Sequence, residues 1–315
     1  LRRICSPACA SLLALLALGS AAYAEPASPP KFIGTDREQD EILEVISTAR
    51  SRSFKPVGHT SVVLRMRTIA RVTAAVKLRS DGVPNGFRHE IAAYRVGRLL
   101  GLDNVPPAIF RRVTWREIRH RFHEDKLDER STVRRAVIWD DDGSAPAAAI
   151  YWVKRMRRIG LEHTERWSAW LSDGDIPSGK RELARDLSTM VVFDFLIGNW
   201  DRLSGGNLST DVTRSRAVLR DNDRAFSTPL LPRRYDRLLA ALTRTERFSS
   251  SVVEKLLELD EPMLRDELSE DPSHARTPLL DDRQITELFE RRATILSYIG
   301  ALIEERGDDS VLVFP

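Results

Sequence analysis

Two aspartates twenty residues apart, Asp201 and Asp221, constrain this chain more than any other feature because of what lies between them. Leu208-Ser209-Thr210 and Ala217-Val218-Leu219 read as short strands around a polar turn at Asp211 to Arg216, the pattern of a β-hairpin. A hairpin returns the chain to its start, so both carboxylates are expected at one place. Ahead of them, Phe193-Asp194-Phe195-Leu196-Ile197 reads as the end of an apolar helix. Asp201 then falls in a loop with Gly198, Asn199, Gly205 and Gly206, where glycine lets backbone approach a ligand closely.

The rest of the chain divides by periodicity. Helical spacing is expected over Asp36 to Ala49, strands at Ser61 to Met66 and Thr73 to Leu78, and a loop at Ser80 to Gly86. Arg88 to Leu100 reads as a helix stopped by Gly101. Val105 to Ile109 opens a second strand-rich patch, and Ala147 to Val153 reads as a buried strand. Beyond Glu162 the signals are mostly helical, at Lys180 to Ile197, Arg234 to Leu242, Ser250 to Leu259 and Arg283 to Glu305. Strands first and helices after is the α+β pattern. The arginine-rich run Arg111 to Arg135 is interleaved with acids and reads as a solvated face. Apolar Val311 to Phe314, ending in Pro315, is expected to dock back on the helical half.

The first 24 residues have the layout of an export signal: Arg2 and Arg3, an apolar core from Ala10 to Leu18, and Ala22-Tyr23-Ala24 as a cleavage site. That core is shorter than the roughly 20 residues a bilayer span needs, so no membrane span is expected after cleavage. Leu1 fits either a non-methionine start codon, a bacterial habit, or a trimmed chain. Cys5 and Cys9 both lie in the signal, so the mature chain has no disulfide to draw on. Without Arg2 and Arg3, the 49 basic residues become 47 against 46 acids, a net charge of about +1 that gives no case for nucleic acid.

Lys77 ends the strand Thr73 to Leu78, and Glu90 begins the next helix 13 residues later. Glu90 shares a helical face with Ala93, Tyr94, Gly97 and Leu100, so its carboxylate points toward packed neighbours and requires a cationic partner. A strand lysine held by a helix glutamate is one half of a phosphoryl-transfer site; the other half is one carboxylate to take a hydroxyl proton and another to hold a divalent ion. Asp201 and Asp221 suit those two tasks. Asp221 follows the strand Ala217 to Arg220 and offers the oxygen donor that Mg²⁺ or Mn²⁺ selects. Asn207 could add an amide oxygen or serve turn conformation, and Asp223 reads as a turn residue in preference to a second ligand. Asp194 reads as structural, in need of a donor such as Arg202. Gly58-His59-Thr60-Ser61 is the candidate phosphate-covering loop, with one glycine.

Two blocks together resemble the Four-jointed branch of the secretory-pathway kinases. The first is His89 to Leu102 with Val105-Pro106-Pro107; the second is Val192 to Leu203, continuing to Leu219-Arg220-Asp221-Asn222-Asp223. The resemblance implies an atypical two-lobed protein-kinase-like fold of the α+β class, with a strand-rich N-lobe over 36–154 and a mostly helical C-lobe over 155–315, preceded by a signal at 1–24 and a spacer at 25–35. It implies Lys77 as the phosphate-contacting lysine, Glu90 as its partner, Asp201 as catalytic base and Asp221 as metal ligand, with ATP and Mn²⁺ or Mg²⁺ as cofactors. The chain departs from the family in placing Asn207 one residue farther from Asp201, and in carrying Asp223 where relatives often have Gly or Glu.

The expected activity is that of an exported bacterial kinase, periplasmic or secreted, moving the γ-phosphoryl group of ATP to a hydroxyl, foremost serine or threonine of a protein. A sugar, lipid or small-molecule acceptor is open. The alternatives are a non-catalytic pseudokinase that binds nucleotide or a partner, and a metal-dependent phosphohydrolase built on Asp201, Asp221 and Asp223; the lack of nearby histidines speaks against the latter.

Overall fold

The computed structural model describes residues 31–33, 35–58, 61–158, 160–204 and 206–315. The expected signal at 1–24, spacer residues 25–30, and His59 and Thr60 of the candidate phosphate-covering loop lie outside these. Five strands, β1 (Ser51–Pro56), β2 (Val63–Thr68), β3 (Thr73–Leu78), β4 (Ala108–Thr114) and β5 (Ser144–Tyr151), form an antiparallel sheet in the order β1-β2-β3-β5-β4. β3 is central, and its register sets Lys77 opposite Val63 on one side and Ala148 on the other. The alanines at 147–149 are fully buried. Helices α1 (Gln39–Thr48) and α2 (Gly86–Leu99) both pack on β4 and β5.

The helical half is organised around α5 (Arg181–Ile197), in which every residue from Asp186 to Ile197 is buried. A helix apolar on all sides belongs in a core. It is flanked by α6 (Pro232–Thr243) and the long α9 (Asp282–Arg306), with α7 (Ser250–Glu258) packed on α9 and α8 (Glu261–Ser269) packed on α2. Leu288, Ile295, Ile299 and Leu302 of α9 are buried, in keeping with a packing role. A short α10 (Asp308–Val311) leads to the terminus, where the Phe314 amide donates to the Phe248 carbonyl at 3.1 Å and accepts from Ser250 N at 2.8 Å through its own oxygen. The Phe314 ring is buried, so the terminus docks as expected.

At the head of α9 the Asp281 carboxylate accepts from Gln284 N at 2.8 Å while Gln284 Oε1 accepts from Asp281 N at 2.9 Å, a reciprocal cap. Asp281→Ala is expected to cost about 1 kcal/mol, read as a lower urea midpoint at unchanged slope.

Three expectations need correcting. β1 was unforeseen, since Ser-Arg-Ser-Phe-Lys-Pro carries little apolar alternation and forms an edge of the sheet. The strand expected from Val105 starts only at Ala108, because Pro106 and Pro107 have no N–H to give a ladder. The run from Arg111 to Arg135 is not simply a solvated face: it holds the end of β4, helices α3 (Trp115–His120) and α4 (Arg130–Ala136), and a 3-10 turn between them. Ile118, Phe122 and Val133 anchor it in the core, and buried Arg111 donates to the carbonyls of Ile46 at 3.0 Å and Ser47 at 3.1 Å.

Candidate active site

The helix that leads to the site ends at Gly198, whose φ of 68° is the left-handed conformation glycine adopts without strain. The Asn199 amide reaches back to the Asp194 carbonyl at 2.8 Å, turning the chain out of α5 into the loop that carries Asp201. The strands β6 (Leu208–Thr210) and β7 (Ala217–Leu219) pair as the expected hairpin. Thr210 also exchanges backbone hydrogen bonds with Arg157, at 3.0 and 2.9 Å, which ties the hairpin to the segment after β5.

Arg202 locks the two aspartate loops together. It donates to both Asp194 oxygens at 2.9 to 3.2 Å, to the Arg220 carbonyl and to Asn222 Oδ1. Asn199 Nδ2 adds a bond to Asn222 Oδ1 at 3.2 Å. Asp194 is thus a structural carboxylate: burial raises its pKa and the Arg202 charge opposes the rise.

The core of the site is a four-residue charge cluster. Lys77 Nζ lies 2.6 Å from Glu90 Oε1, 2.6 Å from Asp221 Oδ1 and 3.0 Å from Asp223 Oδ2. The side chains are 7% (Lys77), 3% (Glu90), 33% (Asp221) and 9% (Asp223) exposed. Burial would depress the ammonium, yet the three carboxylates outweigh it and raise the Lys77 pKa, so the side chain is charged. Burial is also the largest influence on Glu90 and pushes it up against the pull of Lys77. For Asp221 burial acts upward, and Lys77 and Arg220 together overcome it, lowering the carboxyl. Asp221 has φ of 65°, unusual for a residue other than glycine, and this turns its carboxylate from β7 toward Lys77.

Asp223 is where the sequence reading needs correction: it is a member of the ion cluster, not only a turn residue. Its carbonyl oxygen stands 3.1 Å from His89 Nδ1. Burial lowers His89 to about 4, so the neutral ring donates from Nδ1 and its Nε2 accepts from Gln284 Nε2 at 3.3 Å. Gln284 also donates to the Phe226 carbonyl at 2.7 Å. No spacing in the sequence signals this link from α9 to the aspartate loop.

A cleft of about 350 Å³ opens over the cluster, lined by Gly58, Lys77, Glu90, Asn207 and Asp221. Its walls include Trp152, Arg158 and Arg220, none of which sequence reasoning selected. A Cβ at Gly58 would come within 2.4 Å of the Ser61 carbonyl oxygen, so glycine is required by space. Asn207 links the two halves of the site: it lines the cleft with Asp221, while its Nδ2 donates to the Asp201 carbonyl at 3.1 Å and to Asp201 Oδ2 at 3.2 Å. Ser204 Oγ donates to Asp201 Oδ1 at 2.6 Å.

Among the described residues no group of three or more His, Cys, Asp or Glu forms a self-sufficient metal cage. The donor set nevertheless suits a hard divalent ion, with one ammonium against three carboxylates and a part-exposed Asp221 oxygen facing the cleft. Such an ion takes one or two protein oxygens and completes its shell from phosphates and water.

A lysine on the central strand of an antiparallel sheet, paired to a helix glutamate and facing a helical half with two aspartate loops, defines a kinase-like α+β fold. The family described as "Golgi casein kinase, C-terminal, Fam20" matches residues 165–311, which include Asp201, Asn207 and Asp221. Human glycosaminoglycan xylosylkinase is 31% identical over 137 residues, 43% of this chain and 32% of that protein, so the chain spans about a third of the length of its curated relative. The Golgi casein kinase solved with Mn/ADP bound superposes with a TM-score of 0.65 at 17% identity, covering 88% of this chain and 79% of the other. Hydra Fam20 solved with sugar gives 0.65 at 18% identity over 89% and 93%. The match and these neighbours fit a Four-jointed-type atypical kinase.

Proposed function

We propose that this protein is an exported, divalent-metal-dependent kinase that transfers the γ-phosphoryl group of ATP to a hydroxyl. The observation that carries this reading is Lys77, charged and held by Glu90 and Asp221 at 2.6 Å each on the wall of a cleft that Asn207 also lines. Mn²⁺ or Mg²⁺, when bound, neutralises charge on the nucleotide phosphates. Asp221 and Asn207 would hold it. Glu90 fixes the extended Lys77 so that its ammonium meets phosphate oxygens, and Arg158 and Arg220 add cationic donors along the same wall. Asp201 takes the proton of the attacking hydroxyl. The boundary between lobes falls after β5, near Lys154, and export rests on the signal read at 1–24. The Mn/ADP seen in the Golgi casein kinase supports ATP with Mn²⁺ as the cofactor pair.

The acceptor is proposed to be serine or threonine of a protein. The name of the xylosylkinase relative supports a second reading, a xylosyl hydroxyl. Incubation with ATP, Mn²⁺ and either casein or a xylose-primed glycosaminoglycan oligosaccharide separates the two by which one gains phosphate.

Calorimetric titration with ATP and Mn²⁺ tests the site without knowledge of the acceptor. Asp221→Ala is expected to weaken metal-dependent ATP binding by at least about tenfold, or 1.4 kcal/mol. Equal binding by both proteins would remove Asp221 as the ligand, and no binding by either would leave a fold kept for recognition.

A further inference from the structure

A second cavity, of about 450 Å³, lies beside the first turn of α2, between the sheet and the segment joining α8 to α9. Its volume falls in the range of ligand sites, about 300–1,000 Å³. Four guanidinium groups line it, from Arg79, Arg88, Arg112 and Arg276, against one carboxylate, Asp140. Asp140 is shared: Oδ1 accepts from Arg79, and Oδ2 from Arg112 at 2.5 Å. Arg112 also faces Asp142 at 3.5 Å.

The other two arginines have no carboxylate within 4.0 Å among the described residues. Arg88 donates to Asn85 Oδ1 at 2.6 Å and to the Pro278 carbonyl at 3.0 Å, both uncharged. Asp281 acts on Arg88 through its charge from beyond ion-pair distance and also caps α9. Arg276 engages no carboxylate among the described residues. Asp271, next to the lining residues, accepts from Phe110 N at 3.0 Å and from the amide and hydroxyl of Ser273. Phe87, Phe110 and three prolines supply the remaining apolar wall.

Arginine presents a planar fork of donors matched to carboxylate and phosphate oxygens. Four arginines to one aspartate in the lining, with Asp142, Asp271 and Asp281 outside it, leave a local excess of guanidinium donors. A phosphate monoester, at about −1.5 to −2, offsets most of the excess. The apolar wall provides for the organic group that carries it.

We propose that this cavity binds a phosphate monoester carried on a peptide, at a site separate from the cleft over Lys77. The inference does not depend on the phosphoryl-transfer reading. The chain is titrated with a glycine-flanked phosphoserine peptide, its unphosphorylated counterpart and inorganic phosphate. The phosphopeptide is expected to bind at least about tenfold more tightly than either control. Arg276→Ala and Arg112→Gln, on different elements and at exposed positions, are each expected to weaken it about tenfold without moving the thermal midpoint, and Asp221→Ala to leave it bound. Equal binding of the unphosphorylated peptide or of inorganic phosphate would overturn the proposal, as would unchanged affinity in both arginine variants.

Discussion

Asp201→Asn is expected to slow phosphoryl transfer by ~10²–10⁴-fold, the usual contribution of a positioned general base, while ATP binding in the presence of Mn²⁺ stays at the parent value. The separation follows from geometry. Asp201 has no contact with Lys77; its oxygens receive Ser204 Oγ at 2.6 Å and Asn207 Nδ2 at 3.2 Å. Asparagine keeps the shape and loses the proton-accepting charge. Single-turnover transfer measured beside calorimetric affinity reads both quantities. Full activity in Asp201→Asn would reassign the base, and loss of nucleotide binding would make Asp201 a binding residue.

Lys77→Met is expected to destabilise the fold by ~3–5 kcal/mol at neutral pH, the cost of leaving a buried ion-pair partner uncompensated. Glu90 and Asp223, both buried, would face each other and Asp221 with no ammonium among them. Adding Glu90→Gln to Lys77→Met should recover a large part of the loss, because the most deeply buried of the stranded charges is then gone. Urea unfolding of the single and double variants measures the coupling. If Lys77→Met unfolds at the parent midpoint, the cluster is not the tightly buried one seen here.

Much of this was legible from local pattern. β3 and the hairpin strands fall where alternation and turn residues set them, at Thr73–Leu78, Leu208–Thr210 and Ala217–Leu219. Glu90 could be read as buried because a charged residue on the face of Ala93, Tyr94 and Gly97 must be paired. Its pairing with Lys77 was what the kinase resemblance implied. What escaped notice was set by tertiary contact. α8 has a clear start signal, with Asp260 accepting from Met263 N and a proline in the first turn, yet its two buried leucines, Leu264 and Leu268, give a thin apolar face. Asp223 looked like a turn residue because its partner lies 146 positions earlier in the sequence. Arg158 lies in a stretch without regular periodicity and reaches the cleft only because that stretch pairs with β6.

The bond from Gln284 to His89, and from His89 to the Asp223 carbonyl, has a consequence for how the molecule holds together. A helix near the end of the chain thereby supports a loop next to Lys77, and Arg95 with Glu267, Phe110 with Asp271 and Arg88 with Pro278 fasten the same two regions at other points. The sheet and the helical half are therefore sewn along a seam instead of hinged at one linker. Melting is expected to be cooperative across that seam, and damage to the last long helix to be felt as slackness in the cleft over Lys77.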